Sequence, residues 1–334
     1  MKQMPSSSPA AGSPESLLPS PAVPSQGPRD PALRQAADEF VESLTRENTR
    51  VAYRKAIRYF LEALEISTLE EFVAVPAAGI VKYRNGLQRA GRSPSTINQR
   101  LAAVRGLYGR MLKMGRIQHN PADPDLVGGL RVSSASRTEG LTFDEVKQIL
   151  ATCDGTLGGL RDRALLMTLY YQGLRRSEAS KLNWRDLTTK RGLMEVRDAK
   201  NNPYETIRLR PEVKAAIDAY LEVLNRDLRK RDTKPEDPVF CSLSVLRSYG
   251  ERLAPSSMNE IVKGRARAAG IDRRVTCHVW RHACTTHGLA AGVPLHQVQR
   301  HLRHKDVKTT LRYDRERDVR KNPMTDALPS LSLE

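Results

Sequence analysis

CHVWRHACTTH, residues 277–287, packs two cysteines and three histidines into eleven positions. A zinc reading would take Cys277, His278, His282 and Cys284 as ligands. The spacing argues against it. Cys277 and Cys284 are seven residues apart, which brings them only loosely to one side of a helix. Structural zinc sites draw paired ligands from two separated elements. The remaining cysteines, Cys153 and Cys241, form no C-x-x-C pair with each other or with these. No metal is therefore expected. Read as a helix, the stretch places His278 and Arg281 three apart on one face. His282, Cys284 and His287 read as packing residues.

The surrounding composition limits what such a helix could serve. The chain has 334 residues, 39% hydrophobic and 28% charged, with a formal net charge of +17. In residues 1–32, Lys2 and Arg29 cancel Glu15 and Asp30, so the whole excess lies on residues 33–334. A basic folded body of this size points to a polyanion, most often nucleic acid. No apolar run approaches the roughly 18 residues of a membrane helix. The N-terminus does not read as a secretory signal. These features, with free thiols, lead to the expectation of a cytoplasmic, nucleoid-associated protein without a membrane partner.

Residues 1–32, dense in Pro, Ser and Ala, read as a disordered tail. Residues 33–125 read as a helical domain. Tyr53, Ile57, Phe60 and Leu64 form one apolar stripe, and Ile97, Leu101, Val104, Tyr108 and Leu112 form another. Ser93 and Pro94 are suited to open the second of these helices, and Gly115 to close it. Arginines lie off both stripes. Arg50, Arg54, Thr96, Asn98, Arg100 and Arg105 are the candidates to face DNA. Residues 126–140, LVGGLRVSSASRTEG, read as a flexible basic linker. A second domain, 141–322, begins at Thr142 and Glu145 with capping-box spacing. It includes an all-round apolar helix in LRDRALLMTLYYQG and a hairpin in GLMEVRDAKNNPYETIRL. PVFCSL reads as a short strand, and further helices follow. Residues 323–334 read as a C-terminal tail.

Chemistry concentrates in three further places: QGLRRSEASKL with Arg175, Arg176 and Glu178, the hairpin turn with Lys200, and HLRHKDVKTTLRYD with His304 and Tyr313 nine residues later. Their order is G-L-R-x-S-E, a hairpin Lys, H-x-x-R-H, then L-x-H and a Tyr. This order resembles the tyrosine recombinase family, the phage and mobile-element integrases and Xer recombinases. The resemblance covers nearly all of residues 33–320. It implies a mainly α fold with a small β-hairpin: a SAM-like helical core-binding domain followed by an α-rich catalytic domain. It assigns Arg175, Lys200, His278, Arg281, His304 and Tyr313 as catalytic, with Glu178 in support.

The chemistry fits those residue types. Breaking a phosphodiester without losing its energy needs a covalent intermediate, which a tyrosine oxygen can form. Arginine forks meet the charge that develops on the non-bridging oxygens. Histidine can take the tyrosine proton, and lysine can protonate the leaving 5′ oxygen. The resemblance implies a 3′-phosphotyrosine bond, no ATP, and a homo-tetramer on two DNA duplexes, each clamped between the two domains. Accessory DNA-bending proteins or a second recombinase are further partners that it admits. It also implies a bacterial or phage-like setting.

Three positions depart from the family pattern. Trp280 stands where Leu is common, Arg303 where Gly is usual, and Ala199 and Asn201 flank Lys200 in place of glycines. An integrase is the leading reading. The alternatives are a Xer-type dimer resolvase, a type IB topoisomerase with similar chemistry, and a DNA-binding regulator that has lost catalysis. The integrase-like N-terminal domain argues against the topoisomerase, and the intact set of reactive groups against the regulator.

Overall fold

Local capping sets several helix starts. A computed structural model describes residues 30–132, 140–188, 191–197, 204–227, 233–245 and 248–304. The chain forms two units, one within residues 1–133 and one within residues 134–334. In the first, α1 (Pro31–Glu42) opens on Asp30, whose Oδ1 accepts the Ala32 N–H at 2.8 Å. The other Asp30 oxygen accepts the Leu69 N–H at 2.7 Å and so ties α3 (Leu69–Ala74) to the start of α1. Helix therefore begins at Pro31, two residues before the expected domain start at residue 33. Residues 1–29, expected to be disordered, lie outside the described residues.

Helices α2 (Glu47–Ala63), α4 (Ala77–Arg89) and α5 (Pro94–Lys113) complete this unit. Its core gathers Phe60, Phe72, Tyr83 and Tyr108. The Phe72 and Tyr108 rings stack at 4.2 Å, and the Tyr108 hydroxyl donates to Phe72 O at 2.7 Å. The α5 stripe runs as expected through Ile97, Leu101, Val104 and Tyr108. It then departs from the sequence reading: Met111 is buried and Leu112 is 39% exposed. A 3.6-residue period needs steps of four and three in alternation, so the position after Tyr108 is three along. Gly106 lets α1 approach closely, since a Cβ there would sit 2.5 Å from Phe40 Cζ.

The expected linker does not begin at residue 126. Val127 is buried and Leu130 packs on the first unit's core. Asn98 exchanges two hydrogen bonds with the Leu130 backbone, both at 2.8 Å. Arg105 donates to Ala122 O at 2.7 Å and Val127 O at 3.2 Å. These side chains hold the departing strand of chain against α5.

In the second unit, α6 (Phe143–Ala151) opens on the expected capping box, with Thr142 and Glu145 exchanging both bonds. The apolar segment is α7 (Leu157–Tyr171), buried on most of its surface, and it leads through Gly173 into α8 (Arg176–Lys181). Strands β1 (Leu187–Thr188), β2 (Leu193–Val196) and β3 (Glu205–Arg208) form an antiparallel sheet in that order, with Met194 opposite Ile207. The turn with Lys200, Asn201 and Asn202 lies outside the described residues. Helix α9 (Pro211–Asp227) packs on α7.

PVFCSL, expected as a strand, makes only isolated bridges, Asn183 with Pro238 and Cys241 with Arg252. Val239, Phe240 and Cys241 are all buried, so this stretch threads through the core and lacks the alternation of a half-buried strand. Helices α10 (Pro255–Ala268), α11 (Cys277–Ala290) and α12 (Leu295–Leu302) follow. Trp280 is fully buried, edge-on to Tyr170, and the larger group at this position serves the core. Among the described residues, no helix is long and apolar enough to cross a membrane.

Candidate active site

Three chain segments meet behind one carboxylate. After α7, Gly173 turns the backbone into the left-handed region at φ +55°. This brings Arg175 to the cap position of α8. Glu178, 5% exposed, faces back toward that turn. Its Oε2 accepts the Arg175 N–H at 2.8 Å, and its Oε1 accepts Arg175 Nη1 at 2.5 Å. Arg175 Nη2 donates to Arg303 O at 3.1 Å, yet the side chain stays 39% exposed. Arg175 is thus fixed at its base and open at its edge.

Helix α11 contributes Arg281, 3% exposed. Its two Nη atoms donate to Gly173 O and Leu302 O, and Nη1 lies 3.9 Å from Glu178 Oε2. Burial, then the neighbouring Arg175 charge, lowers its pKa to about 10. It remains a cation at neutral pH. His278, one turn earlier, is exposed on the same helix. Burial of its ring surroundings and then the Arg281 and Arg175 charges shift it downward.

His304 follows α12. Its N–H donates to Gln299 O, and its carbonyl accepts from Gln299 Nε2, both at 3.1 Å. Gln299 thus pins this residue from both sides, a role that no sequence pattern indicated. Burial first, then Arg281, Arg175, Arg303 and His278, pulls the His304 pKa down to about 4. The shared influences place His278, His304 and the arginines in one electrostatic neighbourhood. Both histidines are neutral imidazoles near pH 7 in the free protein, available to accept a proton. Lys200 and Tyr313 lie outside the described residues.

The His304 shift carries a stability consequence. An unfolded imidazole titrates near 6.5, so between pH 6.5 and 4 the unfolded chain holds the extra proton. The contribution is fully present above pH 6.5 and lost progressively as pH falls toward 4. We expect His304→Gln to reduce the fall in unfolding free energy over this window, read from urea titrations, by about 2–3 kcal/mol. Equal pH slopes for the two chains would show that another group titrates there.

Gly173 holds the arrangement together. A Cβ there would lie 2.6 Å from Leu302 Cδ2 and 3.4 Å from Cys284 Sγ, on a backbone that L residues rarely adopt. Its carbonyl anchors Arg281. Gly173→Ala should lose about 2–3 kcal/mol of stability and displace Arg281, measured as a lower unfolding midpoint with reduced DNA cleavage. A wild-type midpoint would mean that the turn relaxes freely.

The cysteines of the opening stretch are packing groups. Burial raises the Cys277 thiol to about 12 and the Cys284 thiol to about 11. Among the described residues, no group of three or more His, Cys, Asp or Glu is placed to hold a metal ion.

The six candidate DNA-facing residues of the first unit fare differently. Asn98 bonds the Leu130 backbone through both its amide atoms, and Arg105 bonds Ala122 O and Val127 O through Nε and Nη2. Arg50 donates to Leu44 O at 2.7 Å and pairs with Glu42 at 3.2 Å, and Arg54 pairs with Glu42 at 2.8 Å. The Thr96 hydroxyl bonds Ser93 at 2.9 Å. Arg100 stands 4.5 Å over the Tyr59 ring, with Lys55 at 5.5 Å and Arg58 at 5.6 Å from the same ring. This aromatic–basic cluster was not singled out from sequence, because it joins α2 to α5 across 40 residues.

The phage integrase family matches residues 139–320, and the phage integrase N-terminal SAM-like domain matches residues 37–113. A tyrosine recombinase XerD from Listeria innocua serovar 6a is 30% identical over 84% of this chain and 94% of that one. A tyrosine recombinase XerC from Pseudomonas aeruginosa is 30% identical over 84% and 90%. Among solved structures, a lambda integrase dimer bound to a COC' core site shares the fold, with TM-score 0.64 and 15% identity over 90% of this chain and 98% of that one. A Tn1549 transposon integrase in complex with transposon right end DNA does likewise, with TM-score 0.65 and 16% identity over 87% and 97%. The chain belongs to the phage integrase family and is a tyrosine-type site-specific DNA recombinase.

Proposed function

We propose that the chain cuts and rejoins DNA through a 3′-phosphotyrosine formed at Tyr313. The observation that supports this most is the convergence of Arg175, Glu178 and Arg281 with two neutral histidines, His278 and His304, nine residues before Tyr313. The Tyr313 oxygen attacks phosphorus, and its proton passes to a histidine. The phosphorus–O5′ bond breaks, and Lys200 protonates the departing 5′ oxygen. Arg175 and Arg281 meet the charge on the non-bridging oxygens, where a divalent ion would otherwise serve. The phosphotyrosine keeps the energy of the broken bond, so the 5′-hydroxyl of another duplex can reseal it without ATP. Two duplexes present four strands, hence a tetramer on DNA as the working form. Tetrameric and dimeric forms are described for the lambda integrase neighbours.

The first unit would grip the phosphate backbone through Arg100, Lys55 and Arg58 around Tyr59, with Thr96 nearby. Arg50 and Arg54 already satisfy carboxylates and would contribute less. Affinity should fall steeply with salt, as phosphate contacts release counterions. An integrase is the leading role. Xer-type dimer resolution is the second reading, favoured by the XerD and XerC relatives.

The test is a pool of nicked duplexes with a randomised centre, incubated with the protein and resolved under denaturing conditions. Covalent protein–DNA adducts should form and withstand chelator. Failure of the chain to enrich any covalently attached sequence would overturn the reading. Recombination between two copies of one captured site would favour the Xer role, and between two unlike sites the integrase role.

A further inference from the structure

Arg303 caps α12 with φ 56° and ψ 42°, left-handed values that glycine adopts freely and arginine does not. At a helix end an arginine ordinarily extends its charge into water. This one folds inward, with its side chain 2% exposed. Its Nη2 lies 3.0 Å from Glu178 Oε2 and 3.4 Å from Gly173 O, and its Nη1 donates to His301 O at 2.9 Å. The same turn supplies Leu302 O to Arg281 and Arg303 O to Arg175. A strained backbone with a buried cation persists only where its surroundings hold it. Here the surroundings are the two active-site arginines and their shared carboxylate.

Glu178 has two tasks that conflict. It must orient Arg175, which it does through two hydrogen bonds, yet its charge opposes the positive field that a phosphodiester needs. We infer that Arg303 is a positioning residue of this site, which neutralises Glu178 from behind so that the carboxylate can hold Arg175 without cancelling its charge. The inference rests on the recombinase reading above. With Arg303 in place, the cluster keeps a surplus of two positive charges; without it, one. Arg303 spends both Nη atoms on Glu178 Oε2, Gly173 O and His301 O, and so acts on the phosphate through the carboxylate. Consistent with this, burial would raise the Glu178 pKa, but the Arg303 charge leads the effects that drive it below the usual range.

The test uses captured nicked duplexes and compares the wild-type chain with Arg303→Gly and Arg303→Lys. Glycine suits the left-handed backbone, so folding is protected. Attachment at pH 7.5 should slow by roughly 10- to 100-fold, while duplex affinity changes far less. The acid limb of the rate profile should move to higher pH, because Glu178 loses its leading cation. Lysine should restore the limb and part of the rate. In urea unfolding, Glu178→Gln alone should strand the Arg303 charge, and adding Arg303→Gly should recover stability. An Arg303→Gly chain that attaches at the wild-type rate with an unmoved limb overturns the assignment alone. A wild-type chain that never attaches overturns the recombinase reading, and this assignment with it.

Discussion

Tyr313→Phe should bind duplex DNA as the wild-type chain does and form no covalent adduct, a loss of at least roughly 10⁴-fold. The change removes one oxygen and leaves the ring. The proposed phosphate contacts of Arg175, Arg281 and the first unit do not involve that oxygen, so affinity and its salt dependence should be retained. Electrophoretic shift and denaturing capture, run on the same nicked duplex, separate binding from attachment. Adducts surviving in Tyr313→Phe would transfer the nucleophile to another residue, and a parallel loss of binding would mean that the hydroxyl positions DNA.

Arg281→Ala should combine a catalytic defect with a structural one. Arg281 is 3% exposed and bridges Gly173 O to Leu302 O, two carbonyls from segments more than a hundred residues apart. Its removal leaves Leu302 O without that donor and Gly173 O with only the longer Arg303 contact at 3.4 Å, in a buried setting, which costs about 2–4 kcal/mol. It also removes one of the two proposed charges on the phosphate, worth roughly 10²- to 10³-fold in rate. Arg281→Lys separates the two effects. A single ammonium keeps the charge but cannot span both carbonyls as a planar fork does, so it should recover part of the stability and little of the rate. Urea unfolding and single-turnover attachment read the two quantities separately. An Ala variant with the wild-type unfolding midpoint would show that the carbonyl bridge contributes nothing to the fold.

The helical parts of the fold were legible because their determinants are local. Thr142 and Glu145 announce a helix start, and both bonds form. The α5 stripe is correct until its last step, where Met111 replaces Leu112 inward, because a second step of four in succession outruns the helical period. PVFCSL failed as a strand for a different reason. Three consecutive buried residues satisfy the hydrophobic pattern equally well as strand or as threaded core. Asn98 and Arg105 show what an apolar stripe leaves open. A polar residue off the apolar stripe can face solvent or can reach a neighbouring backbone, and only the position of residues 122–130 decides between them.

At the candidate site, sequence alone determined the family and proposed the list of reactive groups in their order, since residue types and spacing carry family membership. It also determined that His278 and Arg281 share one face of α11, because three residues of helix fix that geometry. Tertiary structure decided what each group is bound to. The sequence marked Arg303 only as standing where glycine is usual, and the fold makes it a left-handed turn whose side chain is buried against Glu178. It also settled that Arg175 is open while Arg281 is enclosed, and that Gln299 pins His304. The physical reason is separation along the chain. Residues 173–178, 281 and 299–304 interact over distances in sequence that no local pattern spans, so burial and charge pairing there exist only once α7, α11 and α12 have packed.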